Sequence, residues 1–376
     1  MMQFDTSQLK TLVVKIGTSL ISGQKAFEGH VLEAMVKEIS ALKHERTLNI
    51  IIVSSGAIGC GMNSMGMAVR PSSLPQKQAI AAIGQATLVH YYETLFATHG
   101  ADLHTAQILL SERDLDDRQH YLNVRNTLHE LFEMKTVIPI VNENDTTAVD
   151  ELRFGDNDTL AAKIAAKCNA ELLIILSDVN GLYDKNPAKH KDATLITRVD
   201  EITEEIEACA GGAGTHTGTG GMRTKLNAAH IATATGTTVT IANGHTPQIL
   251  HSILDGSASC TTFVPSEEAL SHFKRWIAYG RTTKGTLVVD TGARNALLNQ
   301  GTSLLAVGIS NLDGHFEKGD AVLIQDKAGQ ELARALVNYS SEDLAKIMGK
   351  KSSEIEGILG EKPYNEVAHR DNMVIL

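Results

Sequence analysis

Short apolar runs alternate with longer amphipathic stretches over the first two thirds of the chain. Residues 11–16 and 171–176 are almost continuously apolar, which is typical of strands buried on both faces of a parallel sheet. Between such runs, apolar residues recur every three or four positions, as in a helix with one buried face. This alternation predicts an α/β fold, a three-layer α/β/α sandwich with a mostly parallel central sheet. The predicted strands are residues 11–16, 50–53, 106–110, 137–141, 171–176 and 237–241, and the predicted helices are residues 32–42, 76–99, 118–132, 159–168 and 225–234.

The pattern changes near Pro265. A charged stretch, residues 267–276, leads into a polar segment that is typical of a linker. Short apolar runs separated by turn residues then predict a small mainly-β barrel. We therefore expect an α/β domain in residues 1–266, a linker in residues 267–282 and a barrel domain in residues 283–376. The four apolar runs are residues 286–289, 304–309, 321–324 and 332–337, and the turn residues are Asn311, Asp313, Gly314, Gly319 and Gly329.

Charge and composition narrow the possible functions. The net charge of −10 argues against broad nucleic-acid or membrane-surface binding, because such surfaces need clustered Lys and Arg. Residues 281–376 carry 11 Lys and Arg against 13 Asp and Glu, so the C-terminal region is not basic either. The four cysteines are scattered without a C-x-x-C pair, which indicates reduced thiols. With no leader pattern and no bilayer-spanning segment, we expect a cytoplasmic protein.

A glycine-rich loop, residues 218–225, ends in Lys225 and opens into an alanine-rich helical segment. Glycines let successive N–H groups point at an anion, and the helix N-terminus adds partial positive charge. A Walker A loop needs glycine immediately before its lysine, so the spacing argues against a P-loop NTPase. A flexible loop without a ligand is the alternative.

Polar residues interrupt or follow two of the predicted strands near the N-terminus. Lys15 lies inside an apolar strand, where a charge is costly to bury unless an anion meets it. The alternative is a lysine that extends from the strand end to solvent. The next strand ends in Ser54-Ser55-Gly56, which suits a carboxylate bound by backbone N–H groups, or equally an ordinary turn with a serine cap.

Carboxylates and amides follow the later strands. Residues 142–145 (Asn-Glu-Asn-Asp) and 155–158 (Gly-Asp-Asn-Asp) suit an ammonium group, Mg²⁺ held through water, or the positioning of a lysine. Solvated loops, and a helix cap at Asp158, are the alternatives. Ser177 and Asp178 end another strand, where they suit a nucleotide or merely begin a turn.

Ligands of open parallel sheets bind beyond the C-terminal ends of the strands. Two lysines, a glycine loop and several carboxylates at that edge are the parts needed for phosphoryl transfer. The sequence lacks the G-x-S-x-G motif that would indicate a serine hydrolase. It also lacks a predicted strand followed by the G-x-G-x-x-G motif of a dinucleotide-binding fold.

The same segments resemble the motifs of the glutamate 5-kinase family, in that family's order and over residues 10–262. The second region resembles the PUA domain that many members of the family carry, over residues 283–358. The motifs that carry the resemblance are residues 14–19, 53–57, 142–145, 155–158 and 218–225 in the first region, and residues 289–293 and 318–320 in the second.

The resemblance implies ATP-dependent phosphorylation of the γ-carboxylate of L-glutamate with Mg²⁺, the first step of proline synthesis. It also implies feedback inhibition by proline and a homo-oligomer, a dimer or a tetramer. By similarity, Lys15, Lys225 and Asp158 are catalytic, with Asp158 orienting both lysines, and Ser55, Asp145 and Asn157 hold glutamate. The implied ATP-binding residues are Lys15, Ser177, Asp178, Thr219, Gly220, Gly221, Met222, Arg223, Thr224 and Lys225. The family often has threonine at the position of Ser177, and some members have serine at that of Arg223.

Other functions share parts of this pattern. Acetylglutamate, aspartate, carbamate and uridylate kinases would use the same two-lysine chemistry, so the acceptor is open on physical grounds alone. A PUA domain also occurs in RNA-binding and RNA-modifying proteins, although an acidic C-terminal region argues against that role. A regulatory pseudokinase is disfavoured because both lysines and Asp158 are present.

Overall fold

A computed structural model describes most of the 376 residues and divides them into two compact units, Met1–Ala269 and Leu270–Leu376. The predicted linker, residues 267–282, lies outside the described residues. The described parts of the chain are residue 6 and residues 9–21, 29–100, 102–111, 114–115, 118–147, 157–187, 189–211, 221–265 and 283–376.

The first unit alternates strands and helices as the pattern predicts. Its described strands are β1 (Thr11–Ile16), β2 (Asn49–Ser54), β3 (His104–Leu110), β4 (Val137–Glu143), β5 (Leu172–Ser177), β6 (Arg198–Val199), β7 (Thr238–Asn243) and β8 (Thr261–Phe263). Its described helices are α1 (Thr18–Ile21), α2 (Gly29–Glu45), α3 (Ala57–Ser64), α4 (Leu74–His99), α5 (Arg118–Glu133), α6 (Asn157–Lys167), α7 (Glu204–Cys209), α8 (Met222–Thr233) and α9 (Ile249–Leu254).

All eight strands belong to one sheet, in the order β3-β4-β2-β1-β5-β7-β8-β6. The six strands from β3 to β7 are parallel, while β8 runs antiparallel to β7 and pairs in parallel with β6. The prediction of a mostly parallel sheet is confirmed. The two short strands beyond β7, namely β8 and β6, were not predicted, because a run of two or three residues carries no periodic signal.

Helices cover both faces of this sheet. On one face, α2, α4 and α9 bury apolar residues against β1, β2 and β5. On the other face, α6 and α8 contribute Leu160, Leu226 and several fully buried alanines. Alanine is small, so these two helices approach the sheet and each other closely and bring their first turns to its C-terminal edge.

In its described part, residues 283–376, the second unit contains a five-stranded sheet and three α-helices. Its strands are β9 (Gly285–Val289), β10 (Ile309–Gly314), β11 (Ala321–Asp326), β12 (Glu331–Leu336) and β13 (Met373–Ile375), in the order β10-β9-β11-β12-β13. Its helices are α10 (Thr291–Asn299), α11 (Ser341–Ile347) and α12 (Ile355–Leu359). A separate apolar cluster fills this unit.

One strand of the second unit was placed wrongly by the sequence pattern. Residues 304–309 were expected to be extended, but residues 306–308 form a 3-10 turn and the strand runs from Ile309 to Gly314. Asn311 and Asp313 therefore lie in β10 and not in a turn. Because β10 is at the sheet edge, its side chains are largely exposed and its sequence has no apolar run.

In the described part of the chain, none of the helices has both the length and the hydropathy that crossing a bilayer requires.

Candidate active site

Two lysines from distant parts of the chain meet one carboxylate at the C-terminal edge of the sheet. Lys15 lies in the buried central strand β1, between Val53 of β2 and Ile175 of β5. Its Nζ lies 2.5 Å from Oδ1 of Asp158, while Nζ of Lys225 lies 3.1 Å from Oδ2. The side chain of Asp158 is fully buried, and only 6% of each lysine side chain is exposed.

The charges of this cluster control the protonation of Asp158. Burial alone raises the pKa of this carboxyl group, because desolvation disfavours the charged form. Attraction to Lys15 and Lys225, with a hydrogen bond from each, outweighs burial and holds the pKa below its usual value. Asp158 is therefore an anion at neutral pH, and the three side chains together carry one net positive charge.

Helix geometry explains how Lys225 reaches this position. Helix α8 begins directly after Gly221, and Lys225 lies one turn inside it, on the face that also buries Leu226. Thr224 Oγ1 lies 3.3 Å from Asp158 Oδ2 and also bonds the carbonyl oxygen of Gly221. Asp158 itself lies in the first turn of α6, and its carboxylate faces the lysines. The alternatives of a helix cap and of a solvated loop therefore do not describe Asp158.

The predicted nucleotide residues Ser177 and Asp178 lie at the end of β5, beside the loop that follows Lys15. The N–H of Gly17 donates to the carbonyl oxygen of Leu176 at 3.1 Å. The N–H of Gly244 donates to the carbonyl oxygen of Ser177 at 2.9 Å. Ser177 is buried and Asp178 is exposed, so the Asp178 side chain faces solvent at this edge.

Ser55 and Asn157 meet on the other side of Lys15, at the end of β2. Asn157 Nδ2 lies 2.8 Å from the carbonyl oxygen of Ser54 and 3.0 Å from Ser55 Oγ. The chain then turns at Gly56, whose φ of 103° favours glycine, and α3 begins at Ala57. Because Asn157 precedes Asp158 in α6, this contact ties the end of β2 to the helix that carries the central carboxylate.

Asn142 and Gln85 extend this contact into a chain of amides. Asn157 Nδ2 also lies 2.8 Å from Asn142 Oδ1, and Asn142 Nδ2 donates to Gln85 Oε1 at 2.8 Å. Asn142 is at the end of β4, and Gln85 is a buried residue of α4. Sequence reasoning named Asn142 only as part of a polar cluster and missed Gln85, since one glutamine in a helix carries no local signal.

Asp145 lines a pocket of about 270 Å³ between α4 and the ends of β3 and β4. Gln85, Glu143 and Asn144 also line this pocket. Asp145 thus lies near Gln85, at the far end of the amide chain from Ser55 and Asn157. Ser55 and Asn157 are in direct contact, and Asn142 joins Asn157 to Gln85, which lines the same pocket as Asp145.

Parts of the predicted site lie outside the described residues, namely Thr219, Gly220, Gly155 and Asp156. Of the described ATP-loop residues, Gly221 and Arg223 are exposed, whereas Met222 and Thr224 are half-buried. Within the described ranges, no three His, Cys, Asp or Glu side chains are grouped as a metal site.

Comparison with known proteins identifies the family. A model of the amino acid kinase family matches residues 10–243, and a PUA domain model matches residues 285–359. The glutamate 5-kinase of Caldanaerobacter subterraneus subsp. tengcongensis is 46% identical over 366 residues, 97% of each chain. The glutamate 5-kinase of Syntrophus aciditrophicus is 46% identical over 368 residues, 98% of this chain and 94% of that protein. The chain belongs to the glutamate 5-kinase family.

Membership confirms the resemblance seen in the motifs and makes the protein an ATP-dependent phosphotransferase with a PUA domain. Among solved structures, the carbamate kinase from Giardia lamblia bound to AMP-PNP is similar at 16% identity, with a TM-score of 0.48 over 69% of this chain and 99% of that one. The roles of individual residues in this glutamate 5-kinase family member remain predictions, and so do the domain boundaries 1–266 and 283–376.

Proposed function

We propose that this protein transfers the γ-phosphoryl group of ATP to the γ-carboxylate of L-glutamate, which yields L-glutamyl 5-phosphate and ADP. The observation that carries the proposal is the convergence of Lys15 and Lys225 on buried Asp158. This chemistry needs positive charge where two anions approach each other, and the cluster supplies it at the edge of the sheet. Relatives about 46% identical over nearly the whole chain are named glutamate 5-kinases.

In the proposed mechanism, the γ-carboxylate attacks the phosphoryl group in line and ADP leaves, without a covalent enzyme intermediate. The carboxylate is already ionised at neutral pH, so the reaction needs no general base. Lys15 and Lys225 neutralise the oxygens over which negative charge spreads in the transition state. Asp158 holds both ammonium groups in place, so they need not reorganise during the reaction.

The two substrates enter from different sides of this cluster. ATP lies along the end of β5 and the start of α8, over Ser177, Asp178 and the loop that ends at Lys225. Glutamate lies over Ser55 and Asn157, with its α-ammonium group near Asp145. The positions of these residues on either side of Lys15 support this arrangement.

Magnesium enters this scheme with the nucleotide. Asp158 contacts two lysines and is therefore not suited to coordinate a metal ion directly. We propose that Mg²⁺ binds the triphosphate and water, where it supplies charge neutralisation.

Three finer features belong to the proposal by similarity: inhibition by proline, a homo-dimer or homo-tetramer, and the first step of proline synthesis as the pathway. The cytoplasm as the location belongs to the proposal through the sequence analysis. The cysteines, all free thiols, are compatible with a reducing compartment.

The test is ADP release by the full-length protein with MgATP and each candidate acceptor: L-glutamate, N-acetylglutamate, aspartate and carbamate. We expect turnover with glutamate, trapped by hydroxylamine as the hydroxamate. Turnover with another acceptor and none with glutamate would replace the proposed substrate. A parallel series with proline tests the inhibition.

A further inference from the structure

The orientation of each amide in the chain that joins Asn157 to Gln85 is fixed by the backbone. The carbonyl oxygen of Ser54 only accepts hydrogen bonds, so the Asn157 atom 2.8 Å from it is the nitrogen. The N–H of Glu143 only donates, so the Asn142 atom 2.9 Å from it is the oxygen. These two anchors remove the usual ambiguity between the nitrogen and oxygen of a side-chain amide.

The same logic determines how Gln85 is oriented. With its oxygen turned to Glu143 N and Asn157, Asn142 presents its nitrogen to Gln85. Gln85 must therefore present its oxygen to Asn142, and its nitrogen Nε2 points away. This nitrogen is buried and has no hydrogen-bond partner among the described residues. A buried donor without an acceptor is costly, so its position needs an explanation.

The surroundings of Gln85 indicate what its free donor binds. Gln85 is nine-tenths buried and lines the 270 Å³ pocket together with Glu143 and Asp145. The two carboxylates suit an ammonium group, whereas the amide nitrogen suits a negatively charged oxygen. An α-amino acid carries both groups on one carbon atom, and its head group is neutral overall.

We propose that Gln85 Nε2 donates a hydrogen bond to the α-carboxylate of the substrate, while its ammonium group faces Asp145. Gln85 is then a specificity-determining residue that selects acceptors with a free α-carboxylate. The inference rests on the proposed function, because it takes glutamate as the acceptor. The proposal also gives the chain of amides a function. Its hydrogen bonds orient Gln85 of α4 so that Nε2 can donate to the substrate.

Two substitutions separate the donor from a merely structural role. Gln85→Glu keeps an acceptor for Asn142 and removes the donor, whereas Gln85→Met removes both. We expect both variants to raise the KM for glutamate about 10- to 100-fold, the effect of losing a hydrogen bond to a charged group. The KM for ATP and kcat should stay within about threefold of the wild-type values. Gln76→Met is the matched control, since Gln76 is an exposed residue of the same helix.

A purely structural role gives a different pattern. If Gln85 has only a structural role, Gln85→Glu should keep the wild-type KM for glutamate, whereas Gln85→Met should lose kcat and affinity for both substrates. That pattern would overturn the inference. Inhibition by 4-aminobutyrate, which lacks the α-carboxylate, should not weaken in either variant. If this compound does not inhibit the wild-type enzyme, the KM comparison alone decides. A wild-type protein without glutamate-dependent ADP release would instead refute the proposed function.

Discussion

At the scale of single residues, the site depends on opposite charges that are buried together. Lys15 and Lys225 both contact Asp158 and offset the cost of burying its negative charge. Each lysine in turn has Asp158 as the opposite charge that accompanies its burial. The three residues therefore act as one unit, and a change in one affects the other two.

Removal of the Lys225 ammonium group should impair chemistry more than folding. We expect Lys225→Ala to lower kcat about a thousandfold, because the variant loses a preorganised charge at the transferring phosphoryl group. Asp158 keeps Lys15 as a partner, so the variant should still fold. Steady-state kinetics and circular dichroism measure the two effects. The control is Lys37→Ala, on an exposed surface of α2, which should not change kcat. A kcat of Lys225→Ala within tenfold of the wild-type value would contradict the role of Lys225 in phosphoryl transfer.

Asp158→Asn should reduce stability in a manner that depends on pH. In the folded protein the pKa of Asp158 lies below its unfolded value near 3.8. The carboxylate therefore stabilises the fold fully above pH 3.8, and this stabilisation is lost as the pH falls through the folded pKa. The destabilisation, about 3–5 kcal/mol for a broken buried pair, should be constant from pH 5 to pH 8. Urea unfolding at several pH values measures it. Asp192→Asn, from an exposed pair, is the control, and equal midpoints for wild type and Asp158→Asn would contradict the prediction.

At the scale of elements, close packing of helices places the substrate residues. Helix α3 starts at Ala57, two residues after Ser55, and packs against α4 at two glycines, Gly61 and Gly84. A Cβ atom on Gly84 would lie 1.8 Å from the carbonyl oxygen of Ala57 and 2.3 Å from the nitrogen of Gly61. The contact therefore leaves no room for a side chain, and it couples Gln85 of α4 to the end of β2.

Gly84→Ala should force α3 and α4 apart. We expect a loss of about 1–3 kcal/mol in the free energy of unfolding, as for other overpacked interiors. The KM for glutamate should rise, since both Ser55 and Gln85 adjoin this contact. Thermal unfolding and kinetics test the prediction. The matched control is Gly357→Ala in α12, where a Cβ atom meets nothing within 4 Å, and equal effects of the two substitutions would contradict it.

At the scale of the whole molecule, the chain has two units with separate apolar clusters. The clusters of the first unit and of the second share no residue. Every described residue of the candidate site belongs to the first unit. The described residues of the site thus belong to the unit that the amino acid kinase model matches, and none of them belongs to the unit that the PUA model matches.

The first unit should therefore work alone. We expect a chain of residues 1–269 to fold cooperatively and to keep glutamate-dependent ADP release within about tenfold of the full-length kcat. Turnover, together with the thermal transition of the truncated chain, measures this. If the truncated chain does not fold, or if it folds but has no turnover, the second unit is needed for the active structure.

The sequence by itself determined the elements with strong periodicity. Residues 11–16 coincide with β1, and the large apolar residues of the predicted helix 32–42 are buried in α2, namely Leu32, Met35, Val36, Ile39 and Leu42. It failed at β10, a polar edge strand, and at β8 and β6, which have only three and two residues, because local pattern does not define such strands. The residue pattern singled out Lys15, Lys225 and Asp158 as candidates, and family resemblance gave each of them its expected function.

Only the tertiary structure decided which polar groups share an environment. Lys15 and Lys225 are 210 positions apart, and no local rule states that both contact Asp158. The role proposed for Gln85 depends on Asn142 and Asn157, because their hydrogen bonds fix the orientation of its side-chain amide. The physical reason is that hydrogen bonds and charges act over a few ångströms in space, whereas periodicity reports only which face of an element is buried.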